Sequence, residues 1–218
     1  MPRAKQRTPA LRDRVLQVAV ATLAAEGVVG FTTRRVAEVA QTSTPAVYEL
    51  FGDKAGLVRE IFFEGFRMLR GFLDRLEATD DPRADLVATV GALRTFVRAH
   101  PVLSEVMFSR PFRDFDPGPS EVKAGSAVRL FIVGRVRRCV DSDLMSGDET
   151  DIAHVLVSLT QGLAGTEMAG WLGRSRASVD RRWNLAIGAV LDGLSKNARS
   201  VPSHRHRRHG RRTAGDRA

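Results

Sequence analysis

Residues Phe31 to Leu57, FTTRRVAEVAQTSTPAVYELFGDKAGL, decide the fold. Thr32 stands where a side-chain oxygen caps a short helix, with Thr33 to Ala40 as its body. Val36, Ala37, Val39 and Ala40 form its apolar stripe. Gln41-Thr42-Ser43 reads as a tight turn. Ser43 then caps a second short helix, with Thr44 first and Pro45 close behind, where a missing N–H matters little. Val47, Leu50 and Phe51 share a face and are expected to pack inward. Thr44, Pro45, Ala46, Tyr48 and Glu49 are left on or near the outer face. Gly52 ends this helix, and Asp53 caps the next at Lys54. Two short helices joined in this way present the second to the major groove of DNA.

Outward from this stretch the pattern is helical throughout. Thr8-Pro9 opens a helix that runs to Glu26, with Leu11, Val15, Leu16, Ala19, Leu23 and Ala24 inward, and Gly27 is expected to end it. Lys54 to Leu76 makes a long fourth helix with Leu57, Ile61, Phe62, Gly65, Phe66, Leu69, Phe72, Leu73 and Leu76 as its stripe. Further helices are expected over Arg83 to Ala99, Val102 to Phe108, Ser120 to Val140, Thr150 to Leu172 and Ser178 to Ala198. His100-Pro101 interrupts the fifth, and Pro111 to Pro119 reads as a loop. No alternating strand pattern of useful length occurs. The fold class is therefore all-α. Residues 1–53 form an arm and a three-helix unit with the helix-turn-helix, and 54–198 form a helical C-terminal domain. Residues 199–218, from Arg199 on, have almost no apolar side chain and are expected to be a disordered basic tail.

Charge is unevenly placed. The chain of 218 residues carries a net +9, with +3 in residues 1–60, zero in 61–198 and +6 in 199–218. Arg3, Lys5, Arg7, Arg12 and Arg14 form an N-terminal group suited to DNA phosphates. The apolar share of 43% is ample for a packed core. No apolar run approaches the roughly 20 residues that span a bilayer, and the N-terminus lacks the apolar segment of a secretory signal. Cys139 is alone, so no disulfide framework or thiolate metal cluster forms within one chain, which fits a reducing cytoplasm. His204, His206 and His209 in the tail, without Cys or carboxylate partners, make a weak metal pattern. No cofactor or metal is called for.

The segment resembles the reading head of the TetR family of one-component transcriptional regulators. Thr32, Thr33, Val36, Ala37, Ala40, Ser43, Pro45, Val47, Tyr48, Phe51, Lys54 and Leu57 stand in register with that family's pattern over about fifty residues. Gln41 replaces the usual turn glycine, so a residue with a Cβ is asked to adopt a left-handed backbone. Leu50 stands where a polar or aromatic residue is common. LRTFVRAHPVLSEVMFSRPF and the later VLVSLTQGLAGTEMAG resemble the subgroup whose C-terminal domain is named for a Trp-His-Gly motif. Val157 and Gln161 replace the first two motif residues, and Gly162 is kept.

The resemblance implies a sequence-specific, ligand-released repressor that binds a pseudo-palindromic operator as a homodimer. By residue-wise carry-over, Thr33 and Arg34 lie near the DNA backbone, Thr44, Pro45 and Ala46 face bases, and Ser43 belongs to the same DNA-binding set. Tyr48 and Lys54 meet phosphates, and Glu49 accepts from a cytosine amino group or stays solvated. A small-molecule effector is expected among Phe62, Phe66, Phe96, His100, Met107, Phe108, Phe131 and Gln161. His154 reads as a satisfied helix residue. The last two helices carry the small residues Gly162, Gly165 and Gly188 between Leu156, Leu159, Leu163, Ile187, Val190, Leu191 and Leu194, and are expected to form the dimer surface. Two alternatives stand beside this reading. A helical sensor or adaptor that has lost DNA recognition fits the departures at Gln41 and Leu50. An enzyme would need a nucleophile–base or metal pattern, and no G-x-S-x-G, H-E-x-x-H or P-loop occurs.

Overall fold

Side-chain caps set most of the helix starts. The computed structural model describes residues 8–109, 112, 115 and 118–196, so the N-terminal Arg3-Lys5-Arg7 group and the tail with its histidines lie outside the described residues. The helices are α1 Pro9–Gly30, α2 Thr33–Val39, α3 Thr44–Phe51, α4 Lys54–Leu73, α5 Pro82–Ala99, α6 Pro101–Phe108, α7 Pro119–Asp141, α8 Glu149–Met168 and α9 Arg176–Gly193. Thr8, Thr32, Ser43, Asp53, Asp81, Asp148 and Ser175 each accept a backbone N–H of the first turn that follows them. α7 starts differently: Glu121 reaches back to the Gly118 amide at 2.9 Å and receives Arg59 Nε of α4 at 2.6 Å.

Helix ends depart more from expectation. Gly27, at φ +67°, kinks α1 rather than closing it, and a last turn runs on to Gly30. α8 stops at Met168, short of Leu172, and Gly170 and Gly173 turn the chain with positive φ. α9 stops at Gly193, short of Ala198. There Ser146 N–H donates to the Leu194 carbonyl at 3.1 Å, and Met145 bridges Ser195. This pairing takes the carbonyl that another helical turn would have used.

α4 is the spine. Its Leu57, Val58, Ile61, Phe62, Gly65, Phe66, Leu69 and Leu73 are buried, the stripe that its 3.6-residue period sets. α1 and α3 pack on its first half, α6 lies beside its middle, and α5 and α7 flank it. α7 and α5 then carry α8, on which α9 rests. Gly65 admits α6: a Cβ there would sit 2.6 Å from the Met107 sulfur. One core runs from Val15 and Leu23 of α1 to Trp183 and Leu191 of α9. Each fully buried Leu or Phe in it contributes about 1.5–3 kcal/mol.

Two charged clusters tie helices together. Asp85 of α5, buried, accepts from the Thr79 amide and hydroxyl, from Arg135 at 3.2 Å and from Arg138. Arg135 also donates to the Leu76 and Glu77 carbonyls beyond α4. Arg94 makes a bidentate pair with Glu167, at 2.8 and 2.9 Å, and a third bond to Asp180 at 2.8 Å. Trp183 Nε1 donates to the same Glu167 at 2.7 Å. Burial pushes the Cys139 thiol up, and its Sγ lies 3.2 Å from the Pro82 carbonyl, so it behaves as a core residue.

Burial would raise the Asp85 carboxyl, but the Thr79 hydrogen bonds and Arg138 outweigh it and hold it at about 2. Its pKa is lowered on folding, so the anion's stabilisation is complete above the unfolded value near ~4 and is lost as pH falls through about 2. Melting curves between those limits are expected to drop steeply for the native chain. Asp85→Asn should melt lower at neutral pH and show a flatter fall. An equal slope in both proteins would assign the acid loss to other carboxylates.

Candidate nucleic-acid interface

The turn between α2 and α3 forms without glycine. Gln41 sits at φ +52°, and the Thr42 amide donates to the Ala37 carbonyl at 2.9 Å. A non-glycine residue in this region carries a strain of about 1 kcal/mol, offset here by the packing of both helices. Ser43 Oγ accepts from Ala46 N at 3.4 Å, fixing where α3 begins.

α3 turns Ala46, Val47 and Phe51 inward, with Leu50 half-buried on the same side. Pro45, Tyr48 and Glu49 face out, and Thr44 is half-exposed. Ala46 was expected near bases, but only 5% of it is accessible. It lies about 90° from the centre of the inward arc made by Val47, Leu50 and Phe51, within reach of the core. Val39 departs in the opposite sense. It was expected inward and is 45% exposed, since it lies about 110° from the centre of the arc made by Thr33, Val36, Ala37 and Ala40.

The structure brings Thr33 and Tyr48 together. Their hydroxyl oxygens are 3.1 Å apart, joining the start of α2 to the outer face of α3. Thr33 is buried, whereas Tyr48 is 44% exposed and can still offer a hydroxyl outward. Arg34 is exposed and makes no ion pair among the described residues. Arg35 is different: Glu26 at 2.7 Å and Glu38 at 3.4 Å hold it, which raises its pKa further. Lys54 opens α4 with its ammonium 5.3 Å from the Phe112 ring centroid, a cation–π contact.

Phe112 was missed by sequence reasoning. The segment joining α6 to α7 reads as a proline-rich loop, yet Phe112 is buried and meets Phe31 edge-on at 5.7 Å. Phe115 of the same segment is buried against Phe62 at 5.6 Å. Two aromatics set three residues apart among prolines were the available signal.

A divided cavity lies behind this head. One lobe of about 240 Å³ opens between α5, α6 and α8, lined by Val97, Val102, Ser104, Phe108, Gln161 and Met168 among others. A second of about 200 Å³ lies between α4, α7 and α8, lined by Phe66, Phe108, Gly125, Ile132, Val157 and Gln161 among others. Phe108 and Gln161 border both lobes, and Phe96 borders a small gap that they also line. Of the eight residues named for the effector, Phe66, Phe96, Phe108 and Gln161 are thus brought together around these gaps. The other four are not. Phe62 stands one ring behind Phe66 at 4.9 Å, and Met107 is buried against Gly65. His100 stacks on Phe96 at 5.0 Å without lining a lobe. Phe131 is covered by Arg70 at 5.3 Å and Arg135 at 5.0 Å, because its face of α7 turns to α4.

His154 Nδ1 donates to the Thr150 carbonyl at 2.8 Å, as a satisfied helix residue would, and the residue also lines the second lobe. Ser104 and Val157 were missed as lining residues. His154, Val157 and Gln161 follow helical spacing on α8, so their common face was there to be read.

The expected dimer residues divide by burial. Leu156, Ile187 and Leu191 belong to the chain's own core, a correction that follows from α5 and α7 packing on that side of α8 and α9. Leu159, Leu163, Val190 and Leu194 are partly buried, and Gly162 and Gly165 are exposed. Val155 at 49%, Met168 at 50%, Leu185 at 72% and Trp171 at 87% exposure are the large apolar side chains that these helices and their connection leave uncovered.

Among the described residues no helix is long and apolar enough to cross a membrane. Residues 15–61 match the family model described as "Bacterial regulatory proteins, tetR family". Residues 86–190 match the one described as "Tetracyclin repressor-like, C-terminal domain". No curated protein matches the chain. Among solved structures, a protein with unknown function from Rhodococcus sp. RHA1 is 28% identical, with TM-score 0.75 over 88% of this chain and 100% of that one. A regulatory protein in the tetR family from Rhodococcus RHA1 is 18% identical, with TM-score 0.65 over 86% and 98%. RolR in complex with resorcinol is 13% identical, with TM-score 0.61 over 85% and 88%. The helix-turn-helix and the helical body match in sequence pattern, and most of the chain's path matches in shape: the protein belongs to the TetR family and is a DNA-binding transcriptional regulator.

Proposed function

We propose that this regulator is a repressor that holds a pseudo-palindromic operator as a homodimer and is released by a small-molecule effector. It would act in the cytoplasm, and it carries out no catalysis. Residues 1–53 serve as the reading head and 54–198 as the sensing and pairing body. The observation that carries the reading is the outer face of α3, where Pro45, Tyr48 and Glu49 project beside Thr44 from a helix rigidly capped at Ser43.

The chemistry of that face follows from the donors present. The Thr33 and Tyr48 hydroxyls lie 3.1 Å apart, and with Thr33 as the donor the Tyr48 hydroxyl hydrogen is left for a phosphate. Arg34 supplies an exposed charge nearby. Thr44 and Pro45 meet base edges, the first by hydrogen bonding and the second by contact with a thymine methyl. Lys54 reaches a phosphate while Phe112 steadies its stem. Pairing through the uncovered face of α8 and α9, with Val155, Gly162 and Leu185 at its centre, sets two heads on one duplex. One helical turn of DNA, about 34–36 Å, is the separation such heads require.

Release runs from the cavity to the head through contiguous contacts. Phe108 and Phe66 meet at 5.8 Å, Phe66 meets Phe62, and Phe62 meets Phe115. Phe115 and Phe112 share the segment whose other end touches Phe31 and Lys54. A ligand that binds the non-DNA arrangement more tightly shifts the equilibrium by that difference in affinity. The resorcinol in RolR supports a small-molecule ligand for this fold.

Gel shifts test the phosphate assignments. Tyr48→Phe and Lys54→Ala are each expected to weaken operator binding about fivefold to tenfold, equally on the operator and on single-base variants. Lys54→Ala should also flatten the salt dependence. Loss confined to one base position would move these residues from backbone to base contact.

A further inference from the structure

Buried hydroxyls in helices ordinarily bond the carbonyl four residues back. The buried Thr89 and Thr160 do so here, at 2.8 and 2.7 Å, as do the more exposed Thr95, Ser126 and Thr166. Ser104 of α6 does not. It is 5% exposed, its Oγ has no hydrogen-bond partner among the described residues, and it lines the larger lobe. Gln161 of α8 lines the same lobe, and its amide makes no hydrogen bond among the described residues. A buried donor left open in this way is destabilising unless something else takes it.

The surroundings narrow what that is. The rest of the wall is mainly apolar, with Val97, Val102, Phe108 and Met168. The polar groups on the inner wall of the larger lobe, Ser104 and Gln161, are uncharged, whereas Glu105 of that lobe and Arg129 and His154 of the other are exposed, so a neutral polar group is the one that this wall matches. Each lobe alone falls below the ~300 Å³ at which small-molecule pockets begin, and the two together exceed it. We infer that the effector is one uncharged, mainly apolar molecule lying on both sides of the Phe108 ring, with a single hydroxyl or carbonyl held between Ser104 and Gln161. The inference rests on the effector reading of this cavity and names the ligand class.

Three probes test it on the full chain: decan-1-ol, butan-1-ol and decanoate, followed by thermal shift and calorimetry. Decan-1-ol is expected to raise Tm and butan-1-ol and decanoate at equal concentration to leave it unchanged. Ser104→Ala and Gln161→Leu should each weaken decan-1-ol binding about fivefold to tenfold, the loss of one hydrogen bond. Ser104→Ala should leave the Tm of the free protein equal or higher, because it removes an unmet donor. Decanoate binding as tightly as the alcohol, absence of decan-1-ol binding, or unchanged affinity in Ser104→Ala would overturn the inference. So would a lower free Tm in Ser104→Ala, which would mean that the hydroxyl serves the fold. Operator gel shifts separate the two levels. Decan-1-ol that binds without freeing the DNA supports the ligand class and contradicts ligand release. Release by decanoate alone keeps ligand release and overturns the class.

Discussion

Pro45→Glu is expected to remove operator binding while leaving the fold intact. Pro45 is exposed on α3, so the change replaces no buried side chain. A carboxylate there faces phosphates and base acceptors at every docking. Each head loses about 1–3 kcal/mol of contact, and a dimer carries two, so the loss is about 2–6 kcal/mol, or ~30-fold to ~10⁴-fold. Circular dichroism and Tm should match the native chain. A variant that still binds with native affinity would mean that this face does not enter the duplex.

Phe112→Ala carries the second large effect, on coupling as well as stability. Truncating a buried Phe costs about 3–5 kcal/mol. Here the ring also holds Phe31 and Lys54, so its loss frees the segment between α6 and α7 from the head. Operator affinity should fall only modestly, since no direct DNA contact is removed. Ligand binding in the cavity should persist, but its effect on operator affinity should shrink several-fold, measured as the ratio of operator Kd with and without decan-1-ol. Phe31→Leu offers a milder break of the same contact. A native ratio in both would route the coupling through α4 alone.

Much of the architecture was legible because local chemistry and long-range packing agree. Thr32, Ser43 and Asp53 are capping residues followed by good helical stripes, and the turn between the first two is short. The spine helix declared its buried face through Leu57, Ile61, Leu69 and Leu73. What failed to show was which of two apolar arcs meets a neighbour. Leu156 and Val155 are adjacent on α8 and equally apolar, yet one is core and the other is uncovered. Phe131 and Phe66 are both aromatics on core helices, and only the second lines the cavity, because α7 presents the first to Arg70 and Arg135. Helix rotation is set by partners distant in sequence, as Arg135 of α7 reaching Leu76 and Asp85 illustrates. Those pairings carry no local periodicity. Phe112 was hidden for a related reason: its partners Phe31 and Lys54 lie far back along the chain.

Selection of bound duplexes from random DNA by the full chain tests the central claim most directly. Paired rods at Thr44 to Glu49 require enrichment of an inverted repeat with half-site centres about 10 bp, one helical turn, or a multiple apart. The same selection with Pro45→Glu should return nothing. Recovery of unrelated sequences, or of single sites without two-fold symmetry, would contradict a paired reader built on the outer face of α3.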